Sequence, residues 1–276
     1  MPAESPPSPD SPAWLLWATA VAGVAFVVVA GGILQRLRRG VAVIEPRSTR
    51  PVPWDGSDVL VVVGFGLAIA ALIGSLVGKD PPVERSLTAA LGLMSLAGMA
   101  AIGWLTLRGA TGTDLGFVSG GAGSDLWLAT AGLALVLVPL LALAAALNQL
   151  VPYEHDVVDF LTLRRDPLAV GLVIATAVIA APLVEELFFR RILQGWLEKR
   201  LPEADGALAI TISAAAFALA HQGQGLAFVP LFPLALVLGF IARRTGSIVP
   251  CILLHALFNA VSVGLLLATP PPVPTG

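Results

Sequence analysis

The sequence predicts an all-α protein, a polytopic transmembrane helical bundle of about eight spans. Composition is the first reason: 57% of residues are hydrophobic and only 12% charged, with a mean hydropathy of +0.87, whereas soluble domains carry about 25% charged residues. Patterning is the second. Apolar runs near the ~20 residues a bilayer span needs recur from end to end. They are continuous rather than alternating with period two, which argues against a β-barrel. These runs make a lipid bilayer the expected surroundings; the formal net charge of −2 decides nothing, and no basic patch with interleaved aromatics suggests a nucleic-acid partner. Cys251 is the only cysteine, so one chain can hold neither a disulfide nor a thiolate metal cluster.

The elements follow in order. Residues 1–12 contain five prolines, two acids and no basic residue; a cleaved signal needs a basic start, so the first apolar run, Ala13 to Leu34, reads as a retained helix. It stops at Gln35-Arg36-Leu37-Arg38-Arg39. A polar connector with Arg47 and Arg50 leads to the second span, Val59 to Gly78. Lys79-Asp80-Pro81-Pro82 turns into the third, Leu87 to Leu107. A Gly-rich loop precedes the fourth, Leu126 to Leu147, and the charged connector Glu154 to Asp166 is suited to lie along the membrane surface. The fifth runs from Pro167 towards Arg200, and Pro202 ends it. The sixth is Ala207 to His221, broken by Gln222-Gly223-Gln224-Gly225. The seventh is Leu226 to Ala242, the last Ile248 to Leu267. The chain thus divides into a tail (1–12), a four-helix membrane region (13–150), a second membrane region (151–268) and a proline-rich tail (269–276), both tails expected to be disordered.

Basic residues set the expected orientation. With the N-terminus outside, the inner side holds twelve: Arg36, Arg38, Arg39, Arg47, Arg50, Arg108, Arg190, Arg191, Lys199, Arg200, Arg243 and Arg244. The outer side holds four: Lys79, Arg85, Arg164 and Arg165. Both termini are therefore expected outside.

Within the second membrane region, Pro182-Leu183-Val184-Glu185-Glu186-Leu187-Phe188-Phe189-Arg190-Arg191 follows an uncharged run from Leu168 to Val184. Ionisable groups at that depth cost about 2.5–3.5 kcal/mol each on insertion scales. Adjacent helical positions diverge by about 100°, so the two glutamates cannot share a job. Glu186 and Arg190, four apart, can pair. That leaves Glu185 facing elsewhere with no partner on its own helix, as a proton-transfer group requires. Pro182 clashes with the carbonyl of Val178, and a kink is expected before the glutamates. The bland use of the same residues is interhelical ion pairing. His155, between Glu154 and Asp156, reads as a surface residue. His221 ends the sixth span, and His255 and Asn259 share one face of the last. A carboxylate with a histidine can activate water, and an imidazole with a side-chain amide can donate to an oxyanion.

Three motifs in order, Glu185-Glu186-Leu187-Phe188-Phe189-Arg190 (E-E-x-x-x-R), Phe217 to His221 (F-x-x-x-H) and His255 to Asn259 (H-x-x-x-N), resemble the CPBP family. That family includes the type II CAAX prenyl endopeptidases, the Abi-type intramembrane proteases and bacteriocin-immunity proteins. The likeness covers roughly Val170 to Val263, and makes 151–268 the expected catalytic membrane domain. It implies an intramembrane endopeptidase acting on a membrane-associated peptide or lipidated protein. Glu185 would be the essential carboxylate, His221 its partner in water activation, and His255 with Asn259 the oxyanion site. Glu186, Arg190 and Phe217 would support them. Family members have also been described as metalloproteases, and Glu185, His221 and His255 could ligate zinc with an open fourth position. The sequence lacks H-E-x-x-H, so no obligatory metal is expected. A non-catalytic role, in bacteriocin self-immunity or as a membrane scaffold, is the alternative. A transporter would keep buried charges too, but predicts inverted repeats that inspection does not find.

Two geometric expectations complete the reading. Glu185, His221, His255 and Asn259 should line one water-accessible cavity open to the cytoplasm. Counting residues puts Glu185 and His255 in the inner half of the bilayer and His221 beyond its midplane, so the sixth helix must tilt or begin deeper for the four to meet.

Overall fold

Long apolar stretches make helices here because a chain in lipid must satisfy its own N–H and C=O groups. The computed structural model describes residues 13–47, 50–78, 82–151, 158, 160–161, 164–201 and 205–269. Among them the main elements are α1 (Ala13–Arg38), α2 (Gly56–Val77), α3 (Val83–Leu107), α4 (Ala122–Asn148), α5 (167–200), α6 (Ala207–Leu219), α7 (Phe228–Thr245) and α8 (Val249–Ala268). All but α6 are long and apolar enough to cross a membrane, and the protein is a multi-pass membrane protein. The tails at 1–12 and 270–276, Lys79 to Pro81, and His155 lie outside the described residues.

Most helices run a few residues past the apolar stretches that predict them. α3 starts at Val83 rather than Leu87, and α7 runs on to Thr245, where Gly246 takes φ 66° as a left-handed cap and donates its N–H to Ala242; only glycine does so without strain. α6 departs in the other direction. Its 13 residues rise about 20 Å at 1.5 Å each, short of the ~30 Å hydrocarbon core. The chain reverses at 220–227 and returns as α7, which packs along α6.

α5 is not a uniform helix. Pro167–Val173, Ala181–Glu185 and Gln194–Arg200 are α-helical, whereas Ile174–Ala180 and Glu186–Leu193 are π-helical. Pro182 thus follows directly on a π-helical stretch, at the place where the kink is expected, and the wider turns present carbonyls to outside donors. Asn259 Nδ2 donates to Ala177 O (2.8 Å), Ser213 Oγ to Phe189 O (2.6 Å) and Trp54 Nε1 to Ile192 O (3.1 Å). α5 is thereby fastened to α8, α6 and the connector before α2.

Small residues let the helices approach, as membrane packing favours. Gly98 of α3 receives Val184 of α5, and Gly132 of α4 receives Leu254 of α8. α4 packs on both α7 and α8, and α1 on α4, so the first four helices share the core of the last four.

The two ends of the bundle differ. At the end reached by α1, α3, α5 and α7, connectors seal the core. Trp54, Leu105, Leu115, Leu187, Ile192 and Ile248 are buried together, Ile248 N–H donates to Gly116 O (3.0 Å) and Arg47 N–H to Arg244 O (2.9 Å). Lys199 donates to the carbonyls of Val52 and Trp54, and Arg191 to that of Asp114. At the other end, where α1, α3 and α5 begin, a deep cavity opens.

Candidate active site

Each histidine of the motif pair is oriented from its Nδ1 side. His221 lies just past the last turn of α6, and its Nδ1 is 2.8 Å from Phe217 O. A carbonyl can only accept, so Nδ1 carries the proton and Nε2 keeps its lone pair. His255, on α8 and 3% exposed, has Nδ1 2.9 Å from Glu186 Oε1. The carboxylate accepts the Nδ1 proton, and Nε2 faces Glu185 Oε2 at 3.8 Å. That separation exceeds a direct hydrogen bond and suits two groups that share a bound water.

The glutamates separate as helix geometry requires. Glu186 is fully buried, in an ion pair with Arg190 Nε at 3.0 Å. The Arg190 guanidinium lies over the Phe217 ring at 4.8 Å, a cation–π contact in dry surroundings. Phe217 also meets His221 at 4.9 Å and His255 at 5.7 Å between ring centres. It is the hub on which both imidazoles and the guanidinium rest. Glu185 stands outside the Glu186–Arg190 pair, beside His255, and its side chain keeps 19% of its exposure.

Glu185, His221, His255 and Asn259 line one cavity of about 830 Å³. The distance problem posed by the sixth span disappears because α6 stops short, which leaves His221 beside the other three instead of beyond them. The rest of the wall is largely apolar, from Met94 of α3, Leu140, Leu141 and Ala144 of α4, Leu231 of α7 and Phe258 of α8. Towards the mouth it reaches Ser86, Asn148 and Leu266, at the start of α3 and the ends of α4 and α8. This is the end where α1 begins and α8 finishes. The expectations of outside termini and a cytoplasmic opening therefore do not go together, because the start of α1, the end of α8 and the mouth share one end of the bundle. The physical reason is that the arginine-rich end is sealed by its connectors.

Asn259 also reaches across to the helix that carries the glutamates. One of its two amide N–H groups is committed to Ala177 O, and only the other can serve a ligand. The Glu186–His255 contact joins α5 to α8 and has no signature in the spacing of either motif. Thr176 and Gln224 also line the cavity; Gln224 sits in a Gln-Gly stretch whose only sequence signal is that of a chain break. Among the described residues no group of three or more His, Cys, Asp or Glu is placed to hold a metal ion. No step below is routed through one.

Residues 167–261 match the family model of Rce1-like, type II CAAX prenyl endopeptidases. This segment belongs to that family. The Rce1-like segment holds all three motifs and is about a third of the chain; α1 to α4 lie outside it. No curated protein and no solved structure matches the chain significantly.

Proposed function

We propose that the protein is an intramembrane endopeptidase that hydrolyses a peptide bond of a membrane-associated substrate. The observation that carries this reading is the division of labour between the glutamates. Glu186 is buried and paired with Arg190 and His255, while Glu185 lines the cavity beside His255, with His221 and Asn259 on the same wall. An interhelical lock would need no such cavity. The Rce1-like segment supports the same class of reaction.

In the proposed reaction a water held by Glu185 and the Nε2 lone pair of His221 gives up a proton as its oxygen attacks the scissile carbonyl carbon. Charge develops on the carbonyl oxygen, where the second N–H of Asn259 and the Nε2–H of His255, present when the ring is the imidazolium paired with Glu186, are the donors. The C–N bond then breaks, and the proton held by the Glu185–His221 pair passes to the leaving nitrogen. Glu186 and Arg190 act through His255 by holding its Nδ1–H and ring plane. Phe217 positions both imidazoles.

The test uses the purified full chain in proteoliposomes with a panel of membrane-anchored peptides. Cleavage by wild type, lost in Glu185→Ala and retained in chelator, is expected. Loss in chelator with recovery on adding zinc would replace the metal-free mechanism. An immunity or scaffolding phenotype that survives Glu185→Gln would exclude proteolysis as its cause.

A further inference from the structure

We propose that the cavity opens on the extracytoplasmic face of the membrane and receives an apolar, uncharged polypeptide segment presented from that side. The substrate class rests on the endopeptidase reading; the orientation does not. The sealed end gathers Arg36, Arg38, Arg39, Arg47, Arg50, Arg108, Lys199, Arg200, Arg243 and Arg244 in connectors and helix ends. Arg190 and Arg191 leave the count, because Arg190 is buried against Glu186 and Phe217 and Arg191 is spent on the Asp114 carbonyl.

The mouth end has Arg85, Arg164 and Arg165, with Lys79 between α2 and α3 in sequence. Engagement does not distinguish the ends, since Arg165 donates to the carbonyls of Leu266 and Leu267 and Arg164 pairs with Asp166, while Lys199, Arg108 and Arg243 are engaged at the sealed end. The asymmetry is one of number, ten against four. Lysine and arginine in short loops are retained on the cytoplasmic side. The sealed end is therefore cytoplasmic and the mouth faces out.

The wall defines what can enter. Beyond the candidate catalytic residues its described side chains are apolar or neutral, with no lysine or arginine among them. An anionic headgroup or an acidic segment would lose its hydration there without gaining a cation. An uncharged apolar stretch of a membrane-anchored chain gives up only backbone hydration and chain entropy on entry and buries its apolar side chains away from water.

The experiment labels Ser86→Cys, at the mouth, and Arg39→Cys, at the sealed end, with a membrane-impermeant maleimide in intact cells and again after permeabilisation. Cys251 is fully buried, and the unsubstituted chain is the blank. Ser86→Cys is expected to react in intact cells and Arg39→Cys only after permeabilisation. The reverse, or equal labelling at both positions in intact cells, overturns the proposal. Should the Ser86→Cys thiol not react at all, alkaline phosphatase fused after Gly276 decides: α8 ends at the mouth, so an active enzyme is expected, and an inactive one overturns the orientation. An outward mouth without peptide cleavage removes the endopeptidase reading alone; an inward mouth with cleavage removes this inference alone.

Discussion

At the scale of single residues, the account turns on how three buried polar groups are placed against one another. The Glu186 carboxylate meets Arg190 on its own helix and His255 on α8. Truncating one member leaves the other charged in apolar surroundings. Glu186→Leu or Arg190→Met should each lower stability by about 3–5 kcal/mol, while the double variant recovers much of the loss because no lone charge remains. Thermal unfolding in detergent checks this, and additive losses would mean that the pair is not coupled. Asn259→Leu strands the Ala177 carbonyl and should cost about 1–3 kcal/mol along with any cleavage activity. The residue types of the site were legible from spacing: Glu186 with Arg190 follows from i, i+4, and the turning away of Glu185 follows from the 100° step. The partners of His255 and Asn259 were not, because contacts between helices depend on rotation and depth, and the acceptor at Ala177 exists only where α5 widens.

At the scale of elements, boundaries were read to within a few residues wherever apolar sequence ended at Gly, Pro or charge. α6 and α5 were the exceptions. An apolar stretch ending at His221 looks like a span, but its last residues form the reversal that lines the cavity. The π turns of α5 leave no periodicity signal, although Pro182 marked the place. Close helix approach gives a direct check. A Cβ added at Gly132 would sit 2.8 Å from Leu254 Cδ2, so Gly132→Val should destabilise by about 1–3 kcal/mol through overpacking, measured by detergent unfolding. The start of α5 predicts a pH response. Asp166 accepts the Ala169 N–H as helix cap, and this bond, with help from Arg164, holds its carboxyl below the ordinary aspartate range. A depressed folded value means that the contribution is present above the unfolded pKa of about 3.9 and is lost as pH falls through the lower folded value. Asp166→Asn keeps an acceptor at the cap and should flatten that part of the acid limb in a pH series of unfolding curves.

At the scale of the whole molecule, the bundle has one sealed, positively charged end and one open end, and the site sits where they meet. α1 to α4 contribute more than anchoring: α3 and α4 supply the apolar wall that faces the site. Composition made the membrane class plain, and alternation of the spans assigned each loop to an end. The direction of the cavity was not legible, since it depends on which connectors fold over the core. The central claim is that Glu185, and not its neighbour, carries the chemistry. The direct measurement is the turnover of a membrane-anchored peptide by Glu185→Gln against wild type, both shown to unfold at the same temperature. Loss of a positioned general base should slow cleavage by about 10²–10⁴-fold. Undiminished cleavage by Glu185→Gln would contradict the account.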